Sequence, residues 1–440
     1  MVAAEQRQQQ DDSGRGASGP LVTDPLVTGP LAAGARATGP RAWGRRAVVG
    51  TLVATPVALV AGCGGSGSSG SSGTSGESGP KVSAAVVTVT PAGGAVKADF
   101  TKPVQVAVTG GRLGSVTLTD PNGAQVAGRL SPDGSSWTST GKLSSGTTYK
   151  VAAVALDPAK VQVTKEVIFA TAAPAKTFLG TYTPNADTTV GVGMPVSITF
   201  DKAVTDQAQV QRAITVTAVP PVEVVGHWFS ANRLDFRPEE YWKPGTRVTV
   251  SLRLKDLEGA PGVFGTQSKD VSFTIGRSQT SVADLRAEQL TVTRDGVVTQ
   301  TWPISGGSPL HTTWAGKMVI SEKLLQTRMD SETVNLGGEY DIADVPHAQR
   351  LTTSGTFVHG NYWSNPGIFG SENTSHGCVG LHDVQGAGDP GTPAAQFYNS
   401  SITGDVVEVV NSGDQTVAPS NGLNGWNMDW ASWKLSLIHI

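Results

Sequence analysis

Short runs in which Val, Thr and Ile alternate with polar residues fill most of this chain, and Gly, Pro, Asn or Asp interrupts them about every ten residues. A strand turns successive side chains to opposite faces, so each run offers one face for burial and one for water. Long amphipathic helices are thereby excluded over most of the length, and the expected class is mainly β. With 440 residues, the chain exceeds what one core serves and calls for roughly three.

Two of these cores follow one another, at residues 81–173 and 174–276. They echo each other: Pro103-Val104 matches Pro195-Val196, Trp137 matches Trp228, and the run from Gly146 to Val151 matches that from Gly245 to Val250. Both read as immunoglobulin-like β-sandwiches in which the Trp fills the core and the Gly-Thr pair turns the chain into a late strand. Neither holds a His, Cys and acid constellation, so they read as spacers. The third domain, 277–411, is a further β-sandwich with one or two short helices. Asp295-Gly296 marks a hairpin within it. Thr392 as N-cap and Pro393 at the first helical position start a helix at Pro393–Asn399 that turns Ala394, Phe397 and Tyr398 to one face. Gly404 to Val410 closes the domain as a strand. The tail, 412–440, carries Trp426, Trp430 and Trp433 and is expected to pack back on the neighbouring domain, although Leu435 to Ile440 break its pattern.

Only two cysteines occur, and their settings differ. Cys63 ends an apolar stretch, Ala47 to Gly62, that follows Arg45-Arg46 and is shorter than the ~20 residues needed to cross a bilayer. Val60-Ala61-Gly62-Cys63 resembles a bacterial lipobox, which makes 1–63 an extension plus lipoprotein signal peptide and Cys63 the lipidated first residue of the mature protein. Export by the general or the twin-arginine route stays open. Residues 1–40 are Pro/Gly-rich low complexity, read either as a disordered extension or as a misplaced start. Residues 64–80, almost entirely Gly and Ser, form a flexible tether with a reach of about 20–25 Å. The protein is thus expected outside the cytoplasm, held to the membrane through Cys63. A formal charge of -3 and the lack of a basic cluster interleaved with aromatics argue against nucleic acid as a partner.

Chemistry concentrates between His359 and Leu381, where His359-Gly360-Asn361-Tyr362-Trp363 is followed by a Gly/Asn-rich connection and then Thr374-Ser375-His376-Gly377-Cys378-Val379-Gly380-Leu381. A thiol attacks only as thiolate, and an imidazole that takes its proton supplies one at neutral pH. His359 is the base this reading selects for Cys378. Glycine beside the nucleophile allows close backbone approach, so amides near Gly377 and Cys378 suit an oxyanion, at ~3–4 kcal/mol for a well-placed donor. An unpaired thiol in an oxidising compartment also argues against an inert role.

This arrangement resembles the L,D-transpeptidase (YkuD-like) signature of a histidine followed at a set interval by Ser/Thr-His-Gly-Cys. Lipobox, tether, two immunoglobulin-like units, catalytic domain and Trp-rich tail together are similar to the actinobacterial branch of that family over about residues 60–434. The resemblance implies a peptidoglycan L,D-transpeptidase that forms 3→3 cross-links between tetrapeptide stems through a thioester on Cys378, releasing D-Ala, with no cofactor. It further implies that His359 is the general base held by the carbonyl of the next residue, that His376 flanks the nucleophile, and that carbapenem-type β-lactams acylate Cys378. A lid from Met318 to Tyr340 is implied, with Tyr340 and Trp363 lining the donor site and Met329 near it. Ser375 and Asn373 either bind substrate or fix their loop. Two departures stand out: this chain has Gly360 where many relatives carry Ser, which is expected to be tolerable if the carbonyl alone orients His359, and Gly380 where many carry Asn or Arg, which puts a side-chain contact to substrate in question.

Rival readings remain. His382-Asp383 with His359, His376 and Cys378 could hold zinc, but the set lacks the usual paired ligand spacing. His227, His311 and His347 read as ordinary surface or core residues. An L,D-carboxypeptidase would hydrolyse the same thioester, and a non-enzymatic cell-wall-binding lipoprotein would use the sandwiches instead.

Overall fold

The computed structural model describes residues 81–334 and 336–435. The signal segment, Cys63, the tether and residues 436–440 lie outside the described residues.

The first sandwich pairs a four-stranded sheet, in the order Val86–Thr90, Gln105–Thr109, Ser136–Ser139, Gly128–Leu130, with a three-stranded one, in the order Arg112–Thr119, Thr148–Leu156, Gln162–Ala170. Alternate residues of both sheets, such as Val104, Val106, Val151 and Phe169, meet in one core that Trp137 helps to fill. In the second sandwich two four-stranded sheets do the same around Ile198, Leu234, Val250 and Trp228. Gly146 and Gly245 adopt φ of 59° and 79°, the left-handed turn that the repeated Gly-Thr pair was read to make.

The third region is a sheet of nine strands: β1 Gln279–Asp284, β2 Gln289–Arg294, β3 Val297–Ser305, β4 Gly316–Val319, β5 Glu322–Asp330, β6 Asp341–Arg350, β7 Phe357–Asn361, β8 Val379–His382 and β9 Val406–Val410. Their order is β4-β9-β1-β2-β3-β8-β7-β6-β5. The two layers expected here are therefore one continuous sheet that passes from one half to the other along β3. Both halves share a core, since Ala283, Leu290 and Val407 from one cluster with Val358, Val379 and Leu381 from the other. Asp295 and Gly296, both at positive φ, make the β2–β3 turn. Helix Pro393–Ser400 starts where read, with Thr392 Oγ1 accepting from Ala395 N at 3.3 Å, and buries Ala394, Ala395 and Phe397 in that core.

The Trp-rich tail packs on the second sandwich and the third sheet together. Trp433 Nε1 donates to Val225 O (2.9 Å) and Trp426 Nε1 to Gly193 O (2.7 Å), while Asn424 Oδ1 and Asn427 Oδ1 accept from Val319 N and Lys317 N. His227 Nδ1 donates to the Trp433 carbonyl (3.0 Å) and its ring stacks on the indole.

Candidate active site

β7 and β8 are parallel neighbours in register, His359 opposite Gly380. Cys378 stands immediately before β8, two residues from Gly380. His359 and Cys378 line one cleft of about 150 Å³, together with Met329, Tyr340, Trp363 and Ser375 among others.

His359 is buried, and its Nδ1 lies 2.8 Å from Gly360 O. A carbonyl only accepts, so Nδ1 carries the proton and Nε2 keeps a free lone pair. Burial lowers the pKa of the imidazole, opposed by the Gly360 carbonyl and the negative charge of Asp383, which favours a neutral base. Cys378 Sγ donates to Gly355 O at 3.6 Å, and burial pushes the thiol up to about 11 against the Phe357 amide and the Arg350 charge. In this state the sulfur is a protonated thiol turned toward the backbone, in the same cleft as the imidazole.

The loop before Cys378 is braced from within. Ser375 Oγ donates to Cys378 O (2.6 Å) and accepts from Gly377 N (3.1 Å), while Gly377 takes φ of 111°. That conformation strains any residue with a Cβ, a physical reason for glycine before the nucleophile. Trp363 stacks on His359 at 5.7 Å between ring centres, and Tyr340 packs against His376 at 5.0 Å. Burial pushes the Tyr340 phenol up to about 12.

Two expectations need correction. Gly360 is not among the cleft-lining residues, and neither is Asn373, which takes the second of its two expected roles and fixes the loop. The Asn373 amide is committed to the frame, its Oδ1 accepting from Gly306 N (2.6 Å) and its Nδ2 donating to Leu285 O (2.8 Å). The Gly360 carbonyl holds His359 Nδ1, the condition on which glycine in place of the relatives' serine is expected to be tolerable, and a Cβ at 360 would collide with Asp383 Oδ2. The lid does not begin at Met318, a fully buried core residue on β4; the strand reaching the cleft is β5, which carries Met329.

The set weighed for zinc does not assemble. His382 packs edge-on against Phe369, Cys378 and His359 keep the backbone partners given above, and Asp383 Oδ2 accepts from His347 Nδ1 at 2.7 Å, both side chains buried. His347 and Asp383 thus form a buried hydrogen-bonded pair beneath Gly360, which was not foreseen from the sequence. Asn361 was missed too, although the two-residue period places it on the His359 face; it lines the cleft and exchanges hydrogen bonds with Ser364.

A half-buried thiol and an imidazole of fixed tautomer share one cleft where the parallel strands β7 and β8 lie side by side, which makes the pair a candidate cysteine–histidine centre. Residues 278–409 match the L,D-transpeptidase catalytic domain family, and residues 95–258, which run across both sandwiches, match a bacterial Ig domain family. L,D-transpeptidase 2 of Mycobacterium tuberculosis is 35% identical over 359 residues, covering 81% of this chain and 84% of that protein. L,D-transpeptidase 5 of the same species is 33% identical over 356 residues, 79% of this chain and 76% of that one. A solved L,D-transpeptidase in complex with imipenem shares 30% identity at a TM-score of 0.45, covering 54% of this chain and all of that one. The chain belongs to the L,D-transpeptidase family.

Proposed function

We propose that this protein cross-links peptidoglycan stems by 3→3 transpeptidation, through a thioester on Cys378, at the outer face of a membrane to which lipidated Cys63 holds it. The observation that carries the reading is the shared cleft of His359 and Cys378, with the imidazole lone pair on Nε2.

Entry of a tetrapeptide stem displaces water and turns the thiol from Gly355 O toward His359. Nε2 takes the thiol proton while sulfur attacks the carbonyl carbon of the third residue. The Gly377 amide is already bonded to Ser375, so the oxyanion falls to the amide of Cys378 itself. The C–N bond then breaks, and His359 returns its proton to the amine of the departing D-Ala. A side-chain amine of a second stem attacks the thioester, gives its proton to His359 and releases the sulfur, which recovers that proton. Met329, Tyr340, Trp363 and Ser375 border the donor stem, and Cys378 would be acylated equally by the strained carbonyl of a carbapenem-type β-lactam.

Incubation of the protein with disaccharide-tetrapeptide, read by mass, tests this. Dimer that has lost one D-Ala is expected; tripeptide alone would assign an L,D-carboxypeptidase, and unchanged substrate a binding protein. Cys378→Ala should lower the rate by ~10⁴-fold or more. Because burial holds His359 below the usual imidazole value, its neutral form persists as pH falls, and the acid limb of kcat/KM should lie below ~6.5. A limb well above that value would remove His359 as the base.

A further inference from the structure

At His376, which lines the cleft, three side chains from three separate segments converge. His311 Nε2 and His376 Nε2 lie 3.1 and 3.2 Å from the same oxygen, Glu339 Oε2, and one ligand-type atom from each residue falls within 4.8 Å of the others. The two imidazoles face each other at 4.8 Å between ring centres. We propose that His311, Glu339 and His376 form a binding site for a borderline divalent transition metal, Zn²⁺ first, that ties the β5–β6 connection to the wall of the cleft.

The donor set is two neutral nitrogens and one carboxylate, the combination that suits zinc with a fourth position left to water. Tetrahedral bonds of about 2.0 Å put ligand atoms about 3.3 Å apart. The two His–Glu separations already meet that spacing, and only the imidazole pair has to close in. His376 is exposed enough to rotate for it.

The support is unequal, and that gives the site its consequence. His311 sits on a stiff loop: Ser308 N donates to Ser375 O (2.8 Å), Gly307 N donates to Oγ1 of buried Thr313 (2.9 Å), and Gly307 bridges Ser375 as a short parallel pair. The histidines therefore ride on segments joined by backbone bonds. Glu339 instead follows Gly337-Gly338, both at positive φ, on the connection that brings Tyr340 into the cleft. A metal would join two wall ligands to one lid ligand, two residues from Cys378, and so narrow the donor entrance reversibly.

The site stands apart from the transpeptidase reading; only its inhibitory effect rests on it. Thiolate is itself a zinc ligand, so binding is measured with the full chain carrying Cys378→Ala, by calorimetric titration with Zn²⁺ alone. One saturable site is expected. Adding His311→Gln or, separately, Glu339→Gln should weaken it by more than the ~10–100-fold typical of losing an outer-sphere partner. Equal affinity in the single and double variants, or no saturable binding at all, overturns the proposal. In the Cys378 protein, Zn²⁺ should suppress dimer formation and a chelator restore it, whereas His311→Gln should keep its metal-free rate and resist Zn²⁺. Equal inhibition of both proteins would place the metal on the thiol instead and end the case for lid closure.

Discussion

The two sandwiches echo each other in sequence and fold, yet they are joined to the rest of the molecule in different ways. Between the first and the second, Phe100 meets Phe264 edge-on at 4.9 Å and Ser145 N donates to Asp256 Oδ2 at 3.2 Å, beside an open groove of about 520 Å³. Between the second and the third region the backbones themselves pair, Gly191 N with Thr403 O (2.8 Å) and Gly193 N with Gly404 O (2.9 Å). No Cβ fits at 191, where the Gly404–Asp405 backbone approaches. Val319, Leu423 and Trp426 also belong to the same apolar cluster as Val192 and Met194. The second sandwich thus shares a core with the catalytic sheet, while the first keeps its own. Likeness of fold does not carry likeness of role, because the role is set by what each surface buries.

The largest test is deletion. Removing residues 81–173 should leave dimer formation within about twofold of the parent, as expected for regions that share few partners. Extending the deletion to 276 strips the cover from Val319, Trp426 and Trp433 and should yield insoluble or molten protein without activity. Soluble, active protein from the longer deletion would break the comparison. A smaller probe exchanges one buried indole in each place. Trp433 is fully buried and, with Trp426 and Trp430, surrounds the Arg237 guanidinium at 4.4 to 5.3 Å; burial pushes that cation down to about 10. Trp433→Ala and Trp137→Ala should each cost ~3–5 kcal/mol in urea unfolding. Only the Trp433 change should carry the catalytic sheet with it and lower activity; unfolding after Trp137→Ala should be confined to the first sandwich.

What could be read from sequence follows the range of the interaction. The Asp295-Gly296 turn, the Thr392-Pro393 helix start and the strand periodicity are written within a few residues, and each appears where expected. That His359 and Cys378 share a cleft was legible because cysteine–histidine chemistry calls for particular residue types at a particular spacing. The layer beneath them was not. Asp383 gains its partner only when β6 brings His347 to it, and glycine at 360 gains its reason only when the Asp383 carboxylate fills the space a Cβ would need. Likewise His311 acquires meaning only once the sheet sets it against His376, and Asn373 proved a brace because its amide partners lie on distant turns. Patterns report which face a residue takes, not which side chain stands opposite.

The smallest effect offers the sharpest comparison, because it acts on the weak junction alone. Phe264→Ala deletes the edge-on pair with Phe100, worth ~0.5–1.5 kcal/mol beyond its area, and leaves the half-buried Ser145–Asp256 bond, itself ~1 kcal/mol, as the main remaining link. Phe264 lies on a peripheral three-stranded sheet of the second sandwich, so little of the shared core depends on it. The variant should keep its rate of dimer formation and its main unfolding transition, while scattering profiles broaden as the first sandwich moves relative to the rest. If activity fell instead, orientation of the first sandwich would matter to the cleft, and the spacer reading of that domain would have to give way to one in which it presents the substrate.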